Sequence, residues 1–387
     1  MSKKLVMTEI QENTFDVIIV GSSPILLIEA LYLDSTGLKV ALFEKKSRVG
    51  GAWYPESLWG ISSVETGCHY IDRGKKNYNF LQKFLNIELQ PQPRHILWKD
   101  TNGNGQNPRS GVKARVQNSL EVLFKNKLIR RDLWDVYNNG RKGRIKKALF
   151  SLTNLLKSQP FLYPLHGCKS IVDELETKID NSSVRLFKSA DVKSVHIVEK
   201  GSRNRCYVGT QNFTAKRIVV SQNVSVDIFM NDTSFLVEQE MHPYTHLVLR
   251  INGKKRPDFN YIDVIQNPML RRVQDVTSYA DFGSNSDSSD LLICCHLVPG
   301  YAEKDWQANE VFSQLIELEL LSDDSELIDH HLDHYVATLC VENEKLFELE
   351  SSLPDELTIM RTWDLGISLE YYSERWVSLL ANTSINL

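Results

Sequence analysis

The chain has 387 residues, a hydrophobic content of 42% and a charged content of 24%, ordinary values for a globular protein with a substantial core. Its formal net charge of -4 gives no overall attraction for nucleic acid. No apolar run approaches the roughly 20 residues of a membrane-spanning helix. The six cysteines show neither metal-site spacing nor a disulfide framework, so we expect reduced thiols in a cytoplasmic protein.

The N-terminal part predicts a strand, a turn, a helix and a second strand. β-Branched residues run over 15–20 and end at Gly21, which is typical of a strand buried on both faces. Pro24 suits the first turn of a following helix, and residues 39–43 form a second apolar run that ends at Glu44. These segments together predict a βαβ unit of a Rossmann-type parallel sheet.

The turn after the first strand is a candidate dinucleotide site. In a G-x-G-x-x-G turn a pyrophosphate rests on backbone N–H groups at a helix N-terminus. Gly21 occupies the first glycine position and Ser22 follows it, but Ser23 and Leu26 stand at the second and third glycine positions. Glu44 falls 23 residues after Gly21, where an acid would bind the adenosine ribose. The turn alone is therefore a weak signal.

Other segments resemble the motifs of one class of flavoproteins. Residues 48–53, Arg-Val-Gly-Gly-Ala-Trp, are similar to the R-x-G-G motif of the FAD-binding amine-oxidase class, which includes protoporphyrinogen oxidase, phytoene desaturase and UDP-galactopyranose mutase. Residues 65–71 resemble the G-A-H segment that runs beside the flavin in that class. Residues 161–167 resemble its P-x-G-G entry to the second half of the FAD domain, and residues 191–195 its adenine-binding strand. The order of these motifs is far more specific than one imperfect glycine turn.

The resemblance spans residues 15–71 and 161–224, and it implies FAD as the cofactor. It also implies an α/β fold of the Rossmann FAD/NAD(P)-binding type, with an inserted and appended α+β substrate domain. The positions that it assigns to cofactor binding are Gly21, Ser22, Ser23, Glu44, Lys45, Arg48, Gly50, Gly51, Ala52, Trp53, Val192 and Asp364. Asp364 is only a loose counterpart of the aspartate in the class's C-terminal Gly-Asp pair, which the chain lacks.

His69 is the candidate catalytic residue, because the resemblance places it near the reactive ring and imidazole can move protons near neutral pH. A hydrogen-bonded histidine at a domain interface is the structural alternative. We predict a discontinuous FAD domain over residues 1–100 and 161–224, with a basic helical insertion over 101–160. A substrate or interaction domain follows over 225–345, and residues 346–387 return to the cofactor domain.

Positive charge is concentrated between residues 109 and 157, which carry 13 Lys or Arg against three acids. This segment suits a small-molecule or lipid-linked anionic substrate. It equally suits acidic lipid headgroups, which would hold the protein peripherally at a membrane. Its apolar residues also fit the core-facing stripe of an ordinary helix, so all three interpretations stay open.

The region from residue 305 onward is predicted to be mainly helical. A helix would place His330 and His334 on one face, a spacing that occurs in metal sites. No glutamate completes a metal-binding frame around them, and their surroundings are acidic. We therefore predict a solvated helical face and no metal site.

The leading functional hypothesis is an FAD-dependent oxidoreductase of the amine-oxidase-like class that acts on a small or lipid-linked metabolite, with a hydride passing to the flavin. One alternative is a flavin-dependent nucleotide-sugar mutase, in which no net redox change occurs. Another is a flavin-free binding or scaffold protein on the same fold, as in the Rab GDP-dissociation inhibitors. Ser23 and Leu26 favour the flavin-free alternative, whereas Glu44 and the Gly50–Gly51 pair oppose it. The sequence leaves the oligomeric state open.

Overall fold

The fold is taken from a computed structural model, which describes most of the chain outside the basic segment. The described residues are 13–69, 71, 79–92, 94–99, 105–109, 161–198, 204–221, 226–230, 233–234, 244–265, 267–283, 290–298, 308–335, 353–360 and 375–381. The predicted basic segment beyond residue 109 and the predicted cofactor residue Asp364 lie outside them.

The helices and strands follow the chain from the N-terminal unit into two sheets. Up to residue 180 they are β1 (Thr14–Val20), α1 (Pro24–Ser35), β2 (Val40–Phe43), a 3₁₀ turn (Gly51–Trp53), β3 (Glu56–Leu58), β4 (Ile61–Val64), a π-helical turn (Phe80–Phe84), β5 (Leu89–Gln92), β6 (Arg94–Lys99), β7 (Gly105–Arg109), β8 (Phe161–Pro164) and α2 (Cys168–Asp180). After it come β9 (Arg185–Phe187), β10 (Val192–Ile197), β11 (Asn204–Val208), β12 (Gln211–Ser221), β13 (Asp227–Met230), β14 (Thr233–Ser234), β15 (Tyr244–Asn252), β16 (Tyr261–Ile265), β17 (Leu270–Asp275), a 3₁₀ turn (Thr277–Tyr279), β18 (Asp290–Leu297), α3 (Ala308–Glu317), β19 (Glu326–Tyr335), β20 (Leu357–Met360) and α4 (Val377–Ala381).

The first sheet has the strand order β14-β13-β10-β11-β12-β1-β2-β9, and β20 also pairs with β12. Strand β1 runs parallel to both β2 and β12. Val17 and Ile19 enter the core beneath α1 and α2, whereas Ile18 and Val20 enter the core on the opposite face. Strand β1 is thus buried on both faces, as its continuous run of β-branched residues predicted. The predicted α/β fold of the Rossmann type is confirmed.

The second sheet has the order β19-β15-β18-β17-β16-β6-β7. One of its faces packs against α3, and the other packs against β4 and the loop that follows β4. Its members β6 and β7 come from residues 94–109, on both sides of the predicted domain boundary at residue 100. Those residues therefore lie with the later part of the chain, and residues 105–109 of the predicted helical insertion form a strand.

The prediction of helix at residues 326–335 is wrong, although α3 lies within the region predicted to be helical. These residues form β19, whose ladder with β15 pairs His330 with Leu249 and His334 with Thr245. In a strand His330 and His334 are four positions apart, roughly 13 Å, which is too far for one metal ion. Among the described residues, no group of three or more His, Cys, Asp or Glu could hold a metal ion.

The C-terminal part returns to the first sheet through β20, which pairs in parallel with β12. Next to α4, the Trp376 indole donates a hydrogen bond to the Glu29 carboxylate of α1 over 3.1 Å. Cys294 and Cys295 belong to the cores on opposite faces of the second sheet, because successive side chains of a strand point to opposite faces. Within the ranges described above, no helix combines the length and apolar character needed to cross a bilayer.

Candidate functional site

The glycine turn lies where β1 ends and α1 begins. Gly21 has a φ of +101°, which favours glycine, and its N–H donates to the carbonyl of Phe43 over 2.8 Å. A Cβ on Gly21 would lie 3.2 Å from Cδ1 of Leu26. Leu26 therefore fills the space beside Gly21, which explains how α1 stays against the sheet without a third glycine.

Ser23 is the N-cap residue of α1, and its buried hydroxyl lacks a partner within the described part of the chain. The structure gives Ser23 Oγ no hydrogen bond to any described residue. The Gly51 backbone approaches closely, since a Cβ there would lie 3.8 Å from Ser23 Cα. A hydroxyl left unpaired in this way costs about 1–3 kcal/mol, and a phosphate at the helix N-terminus would supply the missing acceptor. Pro24 at the first helical position removes one backbone donor from the same place.

Glu44 is buried at the end of β2 with its carboxylate held in place by the protein. Ser22 Oγ donates to Oε2 over 2.5 Å, and the Lys46 N–H donates to Oε1 over 2.7 Å. Its neighbour Lys45 is exposed, with Nζ 3.7 Å from Asp191. The carboxylate predicted to bind a ribose is therefore already hydrogen-bonded within the protein, and a ribose hydroxyl would compete with Ser22 for it.

Val192 is brought to the same end of the sheet. The N–H of Ala190 donates to the Glu44 carbonyl over 2.8 Å, and the N–H of Ser189 donates to the Lys46 carbonyl over 2.9 Å. These bonds attach the segment before β10 to the end of β2. Val192 itself is buried, and the β10–β11 ladder is irregular directly after it. The predicted ribose acid and the predicted adenine strand are thus neighbours.

Arg48 is engaged within its own loop. It forms an ion pair with Glu56, its Nη1 donates to the Pro55 carbonyl over 3.0 Å, and its guanidinium lies 4.5 Å from the centre of the Tyr54 ring. In this arrangement the side chain fastens residues 48–56 together. Contact with a phosphate, the role that the motif predicts, would add to these interactions or replace them.

Gly50 is required by packing between distant parts of the chain. Its φ is +104°, and a Cβ there would lie 2.7 and 2.8 Å from the two Cγ atoms of Val172 in α2. The Gly50 N–H donates to the Ser22 carbonyl over 2.9 Å, which ties residues 50–53 to the glycine turn. The first glycine of the pair therefore admits α2, and Gly51 faces Ser23.

His69 lies beyond this turn and is fixed by it. Its ring stacks on Trp53 with centroids 4.5 Å apart, and its Nε2 lies 2.9 Å from the Ala52 carbonyl. Because a carbonyl oxygen only accepts, Nε2 carries the proton and Nδ1 does not. Burial, helped by the positive charge of Arg272, lowers the pKa of His69 to about 4. At neutral pH this imidazole is a hydrogen-bonding group rather than a titrating base.

Glu65 anchors the loop that carries His69. The Cys168 N–H at the start of α2 donates to its Oε1 over 2.6 Å, and the Tyr163 hydroxyl donates to Oε2. Burial raises the pKa of the Glu65 carboxyl. A Cβ on Gly67 would lie 2.4 Å from Nε2 of His69, so this glycine leaves room for the ring.

The second sheet forms the wall opposite His69. This wall could not be identified from the sequence. Thr66 Oγ1 donates to the Asp333 carboxylate over 3.0 Å, and the Cys68 and Cys294 sulfurs lie 3.8 Å apart. His246, on the same face of the sheet, interacts electrostatically with His69, and burial lowers its pKa to about 3. The available signal was a histidine within each of two largely apolar strands, His246 in β15 and His296 in β18.

Comparisons with known proteins agree with this architecture. A family model described as an NAD(P)-binding Rossmann-like domain matches residues 19–86. A sequence search of curated proteins finds no match. Among solved structures, putrescine oxidase bound to putrescine is 14% identical, with a TM-score of 0.61 over 95% of this chain and 98% of that chain. Cyclohexylamine oxidase from Brevibacterium oxydans is 10% identical, with a TM-score of 0.62 over 95% and 99%.

The same fold also occurs in a protein of another kind. Rab GDI from Plasmodium falciparum is 11% identical, with a TM-score of 0.59 over 96% of this chain and 98% of that chain. At such identities the similarity shows the fold, which this chain shares with putrescine oxidase, cyclohexylamine oxidase and Rab GDI.

Proposed function

We propose that the chain is an FAD-dependent oxidoreductase of the amine-oxidase-like class that acts on a small or lipid-linked metabolite. The observation that carries the proposal is the buried hydroxyl of Ser23 at the start of α1, which faces Gly51 and has no partner among the described residues. A dinucleotide phosphate satisfies such a hydroxyl, and Glu44 and Val192 stand together at the adjoining end of the sheet.

The chain's residues fit the parts of a flavin dinucleotide. Ser23 and the first turn of α1 would hold the diphosphate, Glu44 the ribose, and the backbone at Val192 the adenine. When bound, the flavin supplies the two-electron chemistry. His69 and Trp53 lie at the far end of the Gly51–Trp53 turn, where they would orient the reacting groups and exclude water.

Ser23→Ala tests the proposed FAD site, because it should raise the stability of the chain and lower its affinity for FAD. Removing an unpaired buried hydroxyl should stabilise the unliganded chain by about 1 kcal/mol in urea unfolding. The same change should weaken FAD binding by about tenfold, measured by quenching of flavin fluorescence. Ser35→Ala is the control for affinity, because Ser35 is exposed at the other end of α1, where its hydroxyl donates to the Tyr32 carbonyl over 2.7 Å, and its loss should leave FAD binding unchanged. Equal FAD affinity in Ser23→Ala and the unchanged chain would contradict the assignment.

Electron transfer tests the oxidoreductase part. The FAD-loaded chain is mixed without oxygen with pools of small and lipid-linked metabolites. Loss of the flavin absorbance near ~450 nm identifies a pool that reduces the cofactor. If FAD binds and no pool bleaches it, oxidoreductase activity on this substrate class is rejected, although the cofactor assignment stands.

A flavin-free binding protein is the second candidate, and specific contacts favour it. The Glu44 carboxylate already accepts two hydrogen bonds from the protein, and Arg48 is paired with Glu56. Pro24 also removes a backbone donor from the first turn of α1. A chain that ignores added FAD while remaining folded would support this candidate. The search would then move to binding partners.

A further inference from the structure

A row of polar side chains crosses the second sheet at one level. The ladders pair Asp333 of β19 with His246 of β15, His246 with His296 of β18, and His296 with Arg272 of β17. Residues directly opposite each other in antiparallel ladders project from the same face of the sheet. The imidazole rings of His246 and His296 lie 4.8 Å apart, so the row is continuous at its centre.

This row faces the cofactor side of the molecule. One step along the strands from the row, Val248 and Cys294 pack with Val64 and Cys68 of the loop that leads to His69. At the end of the row, Asp333 accepts the hydrogen bond from Thr66 of the same loop. The row therefore lies opposite His69, beyond the end of the proposed dinucleotide site. A substrate at the reactive end would contact it.

The charges of the row lie toward its two ends, since Asp333 is the ladder partner of His246 and Arg272 is the ladder partner of His296. Burial first, and Arg272 in addition, lowers the pKa of both His246 and His296, so both rings are neutral at pH 7. Asp333 lies at the other end of the row, roughly 14 Å from Arg272 by strand spacing. On the opposite side of Arg272, Asp263 is 3.8 Å from its Nε. The neutral imidazole of His296 therefore supplies an N–H donor beside the permanent cation of Arg272.

We propose that Arg272, His296 and His246 form a subsite for a carboxylate group of the substrate. An arginine with neighbouring imidazole donors makes charge-assisted hydrogen bonds to a carboxylate, and Asp263 orients the arginine from behind. The inference rests on the proposed function, because it places the carboxylate of a substrate that reacts near His69. It adds the requirement that the substrate carry a negative charge, which the fold alone does not set.

The test compares three probes of one size and different charge. Benzoate, benzyl alcohol and benzylamine are titrated into the full chain at pH 7.5 by isothermal calorimetry, before and after FAD addition. We expect benzoate to bind at least about tenfold more tightly than the other two, the value of one charge-assisted hydrogen bond. Tighter binding of benzylamine, or equal binding of all three, overturns the proposal without any variant.

Arg272→Gln then tests the anchor residue. We expect this change to weaken benzoate binding about tenfold or more and to leave benzyl alcohol unchanged, whereas Arg272→Lys should keep part of the preference. Arg250→Gln is the matched control, because Arg250 lies on the same face of β15 and bonds Asp290 over 2.7 Å, away from His69. Unchanged benzoate binding in a folded Arg272→Gln chain overturns the assignment.

The FAD content of the same samples separates this proposal from the proposed function. Benzoate selectivity in a chain that holds no flavin supports the subsite and contradicts the oxidoreductase assignment. A chain that holds flavin but does not prefer benzoate contradicts the subsite and leaves the cofactor assignment in place.

Discussion

Gly50→Ala should destabilise the chain strongly, because the new methyl group would meet α2. A Cβ at this position would lie 2.7 and 2.8 Å from the Cγ atoms of Val172 and 3.2 Å from Cβ of Tyr54. Overpacking of this kind costs about 1–3 kcal/mol. The φ of +104° adds backbone strain of about 1–3 kcal/mol for a residue other than glycine. Together these terms predict a loss of about 4 kcal/mol in the free energy of unfolding.

Two other glycines separate the cost of overpacking from the cost of backbone strain. Gly60 has a φ of +78° and nothing within 4 Å of an added Cβ, so Gly60→Ala should show backbone strain alone, about 1–2 kcal/mol. In Gly51→Ala the φ of +57° adds backbone strain of about 1–2 kcal/mol, and the methyl would make ordinary contact with Ser23, at 3.8 Å from its Cα. We expect that variant to stay folded but to lose FAD affinity by about tenfold, because the methyl covers the proposed phosphate position.

Urea unfolding followed by far-ultraviolet circular dichroism gives the stabilities, and flavin fluorescence gives the affinities. If Gly50→Ala is no less stable than Gly60→Ala, close packing of α2 against the glycine pair is not what requires Gly50. If Gly51→Ala binds FAD as well as the unchanged chain does, the space beside Ser23 is not the phosphate site.

Two further predictions concern buried charges. Arg375→Met should lower the free energy of unfolding in urea by about 3 kcal/mol, because it leaves the buried Glu29 carboxylate without its nearest cation. Adding Glu29→Gln should restore part of this stability. If it restores none, the pairing of Arg375 with Glu29 is refuted. The pKa values of His69 and His246 lie near 4 and 3 in the folded chain but near ~6.5 when unfolded, so the unfolded state binds protons first as pH falls. Stability should therefore decline from pH ~6.5 to 4, by up to about 1.4 kcal/mol per pH unit for each histidine, and His69→Gln should reduce that slope. A pH-independent stability over this range would contradict the burial of these rings.

Local sequence patterns were sufficient for the N-terminal unit. The β-branched run of β1 requires burial on both faces, and a parallel sheet with helices on it supplies that burial. Pro24 and Gly21 mark the turn because their backbone preferences are local properties. The position of Glu44 follows from the same local geometry, since it ends the strand beside β1.

Contacts between distant residues decided the features that the sequence did not reveal. The helical spacing of His330 and His334 was overridden by the ladder between β19 and β15, and β15 lies about eighty residues earlier in the chain. Gly50 resembles a phosphate-binding glycine in sequence, but its requirement comes from Val172.

The row of polar residues across the second sheet is the clearest example of a feature that the sequence did not reveal. Its members come from four strands spread over residues 244–335, and only the register of the ladders places them at one level. Each polar residue alone gives no sign of which side chains lie beside it on the neighbouring strands. Their common face becomes evident only when the pairing partners are known.

The flavin content of the purified full chain tests most directly whether the turn between β1 and α1 holds FAD. The chain is incubated with FAD, freed of excess by gel filtration, and denatured to release and count the bound flavin. We predict about one FAD per chain, with absorbance bands near ~370 and ~450 nm before denaturation. A folded but colourless chain that releases no flavin would contradict the account.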